Sequence, residues 1–81
     1  MKLTVHLFAR AKDLAGRDAV TVTLPEGATV ADLRRALAEQ HPRLAGLLAA
    51  AALAIDNDFA DENLSVPFNA EVALLPPVSG G

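Results

Sequence analysis

Apolar residues recur at every second position at the start of the chain. Leu3, Val5 and Leu7 fall on one side of an extended segment, and Thr4, His6 and Phe8 fall on the other. That period of two predicts a strand. Val20, Val22 and Leu24 alternate with Thr21 and Thr23, which predicts a second strand rich in β-branched residues. Residues 9–15 read as a connection with room for one helical turn, closed by Gly16, and Pro25-Glu26-Gly27 breaks the sheet after the second strand. The period then changes. Val30, Leu33 and Leu37 follow at helical spacing, with Arg34, Arg35 and Glu39 largely on the other side. Thr29 suits the N-cap, Asp32 places negative charge in the first turn, and Pro42 stops the helix by about His41.

Leu44, Leu47, Leu48 and Ala51 suggest a shorter and less regular helix. Leu53-Ala54-Ile55 predicts a third strand, Asp56-Asn57-Asp58 a turn, and Phe59-Ala60 a short fourth strand. Residues 61–70 read mostly as loop. Val72 and Leu74 then alternate with Glu71, Ala73 and Leu75 in a last strand that Pro76 and Pro77 stop. The expected fold class is α+β: a mixed sheet of about five strands, covered on one face by a helix, with a short second helix. The expected core is Leu3, Val5, Leu7, Val20, Val22, Leu33, Leu37, Leu53, Ile55, Val72 and Leu74.

Length and composition narrow the function. Eighty-one residues make one small domain, which buries only about 60–65% of its unfolded surface. Residues 1–75 are expected to form it, with 76–81 as an extended tail. The net charge is −3, the seven basic residues form no run, and only three aromatics are present, so neither nucleic acid nor an anionic membrane is an expected partner. The longest apolar run, residues 44–55, is too short to span a bilayer, and residues 1–8 alternate instead of forming a signal-peptide apolar core. A cytoplasmic location is expected. Cysteine is absent, which removes thiolate nucleophiles and cysteine-based metal sites. His6 and His41 lack a metal-ligand spacing, the acidic residues Asp56, Asp58, Asp61 and Glu62 lack a calcium-loop pattern, and Ser79 has no evident base, so no metal site is expected.

The strongest chemical signal is the ending Pro76-Pro77-Val78-Ser79-Gly80-Gly81. A carboxylate on a two-glycine tip meets no side chains when it enters a narrow channel. Pro76 and Pro77 fix two φ angles and stiffen the root. Residues 78–81 can extend about 13 Å beyond it, at roughly 3.3 Å per residue. On the strand faces, Phe8 lies opposite Leu3, Val5 and Leu7, and Leu75 lies opposite Val72 and Leu74. If those strands are neighbours, Phe8 and Leu75 share the helix-free face, with Phe59 a candidate third member of a partner surface.

Several stretches together resemble the molybdopterin synthase small-subunit family of ubiquitin-like β-grasp proteins. They are Val5-His6-Leu7-Phe8-Ala9 with Asp13-Leu14-Ala15-Gly16, Thr29-Val30-Ala31-Asp32-Leu33, Ala54-Ile55-Asp56, and above all the eleven residues from Glu71 to the final glycine. The resemblance implies that Gly81 is the reactive residue. An E1-like adenylating enzyme would join its carboxylate to AMP, using ATP and Mg²⁺. A sulfur donor, a desulfurase or similar protein, would then displace AMP and leave a thiocarboxylate. The tail would deliver that sulfur to cyclic pyranopterin monophosphate in the large synthase subunit, where the active site is expected. The small subunit would be a carrier and not an enzyme, with no cofactor of its own, in an assembly of two small and two large subunits. Three alternatives stay open: a sulfur carrier for thiamine or tRNA thiolation, a ubiquitin-like protein modifier, and an interaction domain with an inert tail. The chain departs from the family at Phe68-Asn69-Ala70, where Asp-Gly-Asp is usual, and at Asp56, where Asn is usual.

Overall fold

The structure is a computed structural model and describes residues 1–76. Five strands form one mixed sheet: β1 (Lys2–Leu7), β2 (Ala19–Thr23), β3 (Ala52–Ile55), β4 (Asp58–Phe59) and β5 (Val72–Leu75). Their spatial order is β2-β1-β5-β3-β4, antiparallel throughout except for the central parallel pair β1 and β5. Three helices, α1 (Ala9–Ala15), α2 (Val30–Gln40) and α3 (Ala45–Leu48), pack on one face, with a 3₁₀ turn at Pro42–Leu44. This is the ubiquitin-like β-grasp expected from the sequence. All eleven expected core residues are buried. They are joined by Leu24, Val30, Leu44, Leu48 and Val66.

Local chemistry explains the elements. Thr29 and Asp32 form a capping box: the Thr29 amide donates to Asp32 Oδ2 at 2.9 Å and the Asp32 amide donates to Thr29 Oγ1 at 3.2 Å. The same bonds hold the Asp32 carboxyl below its ordinary pKa, the backbone donor contributing most. His41 takes a non-helical conformation, as the residue before Pro42 must, and ends α2. β3 and β4 are joined by the two-residue turn Asp56-Asn57, with φ of 50° and 72°. Positive φ at both positions is what a type I′ hairpin needs, and Asp and Asn tolerate it better than most residues.

Four details differ from the sequence reading. Residues 9–15 form a full seven-residue helix, sealed by Gly16 at φ 72° with its amide on the Lys12 carbonyl at 2.9 Å. Only Ala11 of that helix is fully buried, so no helical period showed in the sequence. The fourth strand is Asp58–Phe59, one residue earlier than expected, because the tight turn brings Asp58 opposite Ile55. Residues 61–70 lack regular structure but are firmly held: the Glu62 and Leu64 carbonyls accept the free amides of Ala31 and Val30 at the start of α2, and Val66 seals the core beneath. Finally, Arg34 is a tie and not a solvated helix residue. Its Nε and Nη2 grip both carboxylate oxygens of Glu62 at 2.9 Å, and its Nη1 donates to the Ala51 carbonyl at 2.7 Å and to the Leu48 carbonyl.

Candidate functional site

The strand that leads to Pro76 lies in the middle of the sheet. β5 is paired on both sides, with Leu7 and Leu53 both opposite Leu74, so the strand that ends at Pro76 is held by two neighbours. Pro76, half-buried, follows directly and offers no N–H to continue the ladder. Pro77, Val78, Ser79, Gly80 and Gly81 lie outside the described residues.

Register places the three expected partner residues on one face. Paired residues point to the same side of a sheet, so Ala19, His6, Ala73, Ala54 and Phe59 form a row across all five strands on the helix-free side. Two residues further along β5, Leu75 stands opposite Ala52. Phe8 follows Leu7, whose partner is Leu74, and so comes beside Leu75 at the end of β5 next to Pro76. Phe8 is 48% exposed and Phe59 76%, whereas Leu75 is partly covered. Phe59 lies two strands from β5, roughly 10 Å away at the usual strand spacing. It therefore flanks the Phe8–Leu75 pair without touching distance. Between them, Ala52, Ala54 and Ala73 make a low floor. The sequence reading missed that floor, although the alanines alternate with the core residues Leu53, Ile55, Val72 and Leu74 in a way that could have revealed it. Elsewhere the face is polar, carrying Lys2, Thr4, Thr21 and Thr23.

Other sequence-flagged residues have structural tasks. His6 is exposed on the helix-free face. His41 donates from Nε2 to the Thr21 carbonyl at 2.7 Å. Asp56 accepts the Glu71 amide at 2.9 Å while its own amide donates to the Glu71 carbonyl at 2.8 Å, so the hairpin turn clamps the residue that opens β5. An Asn oxygen could accept the same bond, which explains how Asp substitutes there. Asn69 adopts φ 59°, a conformation suited to the glycine usual at that place. Phe68 beside it is exposed. Among the described residues no polar or charged side chain is buried, no cluster of three metal-capable side chains occurs, and no helix is long and apolar enough to cross a membrane.

Comparison with known proteins decides the family. The ThiS family model matches residues 5–81. The chain belongs to the ThiS family. It is 33% identical over 80 residues to the molybdopterin synthase sulfur carrier subunit of Dictyostelium discoideum, covering 95% of this chain and 93% of that one. It is 31% identical over 81 residues to the subunit of that name from Arabidopsis thaliana, covering 100% and 84%. Its fold is similar to the crystal structure of SAMP1 from Haloferax volcanii, with a TM-score of 0.84, 29% identity and complete coverage of both chains. The family match runs through residue 81 and so includes the Gly80-Gly81 ending.

Proposed function

We propose that this ThiS-family chain is the sulfur carrier of molybdopterin synthesis. The observation that carries the reading is the end-to-end similarity to molybdopterin synthase sulfur carrier subunits, with the Gly80-Gly81 ending included in the family match. Residues 76–81 act as a tail on a rigid domain. A carboxylate is a poor acyl donor because oxide is a poor leaving group. Attack of the Gly81 carboxylate on the α-phosphorus of ATP, held with Mg²⁺ by an E1-like enzyme, releases pyrophosphate and forms an acyl-adenylate. Sulfide released by the sulfur donor attacks the acyl carbon, the acyl–oxygen bond breaks, AMP departs with the electron pair, and a thiocarboxylate remains. The tail then enters the large synthase subunit and transfers sulfur to cyclic pyranopterin monophosphate. Phe8, Leu75 and Phe59, around the alanine floor, form the surface that holds the partner during transfer, an arrangement of apolar residues beside the tail root that suits docking.

Intact mass tests the reading. Incubation with an E1-like enzyme, ATP and a sulfur source is expected to add about 16 Da, the exchange of one oxygen for sulfur at an activated acyl group. Loss of that gain on deletion of Gly81 places it on the tail. No gain, with the activating enzyme working on a control carrier, refutes a sulfur carrier. A second reading is favoured by the similarity to SAMP1 along its whole length: the same activated glycine forms amide bonds to lysines of other proteins. Covalent adducts on target proteins, lost with Gly81, would reveal that use.

A further inference from the structure

The charges of this acidic chain are unevenly placed. Three of its seven basic side chains are in ion pairs: Lys12 with Asp18, Arg34 with Glu62 and Arg35 with Asp32. Among the described residues four basic side chains are outside such pairs, and three of them, Arg10, Arg17 and Arg43, border two adjoining grooves on the helical side of the molecule. One groove, of about 360 Å³, runs between the end of α1 and the corner after α2, over Ala15, Val20 and Leu44. The other, of about 330 Å³, runs over Leu14 and Leu47. Arg43 borders both, Arg17 only the first and Arg10 only the second. Arg43 therefore stands where the two grooves meet, with Arg17 bordering one and Arg10 the other, and together they make one trough. No Asp or Glu lines either groove. The wall is rigid where His41 and Gln40 line it, because both side chains are tied to the backbone of β2.

We propose that this trough docks an acidic, leucine-bearing peptide segment of a partner protein. Guanidinium groups spaced along an apolar floor match carboxylates spaced along an extended chain, with apolar side chains between them. A single small anion would need converging donors, and the arginines are instead distributed over two grooves. The trough lies on the side of the sheet opposite Phe8, Phe59 and Leu75. A partner held there leaves the helix-free face open, so the carrier can be retained while its tail is presented elsewhere. The proposal extends the carrier reading but does not depend on which group the tail transfers.

The test is a titration of the ¹⁵N-labelled full chain with an acetylated, amidated peptide of sequence Glu-Leu-Glu-Glu-Leu-Glu, alongside a counterpart with Lys for every Glu. Amide shifts are expected at Arg17, Arg43 and Gly46 and not at Thr4, Ala54 or Ala73. Reversing two rim charges in Arg17→Glu/Arg43→Glu is expected to weaken binding roughly tenfold, and added salt should weaken it in the parent. All these side chains are exposed, and an unchanged melting temperature shows that the variant is folded. The single variant Arg43→Gln gives an independent, smaller loss. No shifts at millimolar peptide, shifts on the helix-free face, or an equal response to the lysine peptide overturn the proposal. So does displacement by free phosphate or AMP at concentrations equal to the peptide's, which would make the trough a small-anion site.

Discussion

Single residues here are legible through the backbone positions they occupy. Asp56 sits at φ 50° and clamps Glu71 through two hydrogen bonds. Asp56→Ala keeps the unfavourable φ and removes the side-chain acceptor, so a loss of about 1–2 kcal/mol is expected in urea denaturation, with Asp56→Asn close to the parent. Equal stability of all three would mean that the side-chain bond contributes nothing. At Gly80 the reasoning is functional. Gly80→Ala adds a methyl group to a tip that, under the proposed function, enters an enzyme channel. Its melting temperature is expected to match the parent's while the mass gain on thiocarboxylation slows, and normal thiocarboxylation would remove the steric argument. The expected tail beyond Pro76 lies outside the described residues, whereas the turn residues were readable in the sequence because each depends on a local constraint such as a positive φ or a proline ring. The tie made by Arg34 was not. Its partners Leu48, Ala51 and Glu62 lie 14, 17 and 28 residues away, and only tertiary folding brings them together.

Elements are held by such ties more than by their own propensities. α3 has four residues and no side-chain cap, so the Arg34 guanidinium on the Leu48 and Ala51 carbonyls does much to end it. Arg34→Met keeps much of the stem's packing and removes every donor. A loss of about 2–3 kcal/mol is expected, since hydrogen bonds to charged groups contribute more than neutral ones and two carbonyls lose their partner. A Glu62→Gln variant, which leaves the carbonyl contacts intact, should lose much less. Comparable losses would place the energy in the ion pair. β2, at one edge of the sheet, has a different protection. The Gln40 side chain accepts from the Thr23 amide at 2.9 Å and donates to the Thr23 carbonyl at 2.8 Å, acting as a short extra strand, and His41 covers the Thr21 carbonyl. Gln40→Ala is expected to uncover that edge and give concentration-dependent self-association in sedimentation velocity. A strictly monomeric variant at high concentration would show that the edge needs no guard. Strand and helix periods in the sequence located the sheet and α2, but nothing in those periods marks a glutamine as an edge cover.

At the scale of the whole molecule, charge sets the range of pH over which the fold is steady. Three carboxyls have lowered pKa values: Glu62 through its bond to Arg34, Asp18 through its bond to Lys12, and Asp32 through the Thr29 amide. A carboxyl whose folded pKa is depressed stabilises the fold fully above its unfolded value, and that contribution disappears as pH falls through the folded value. Lys12 is raised by Asp18, so its contribution is complete below its unfolded value of 10.5 and is lost as pH rises through the folded one. The melting temperature is therefore expected to be level from about pH 5 to 9. It should decline below the ordinary carboxyl range, and Glu62→Gln should flatten part of that decline. The acid limb should be shallow, because Glu62 and Asp32 are about half exposed and Asp18 is open to water, where solvent screens each pair. A melting temperature that rose steadily between pH 5 and 8 would contradict this, since the three lowered carboxyls and the raised Lys12 all titrate outside that window. The consequence for function is that docking and stability can be separated experimentally. Across the level range, a change in affinity for a partner at Phe8, Phe59 and Leu75 or at the arginine trough reports the surface itself and not the folding of the carrier.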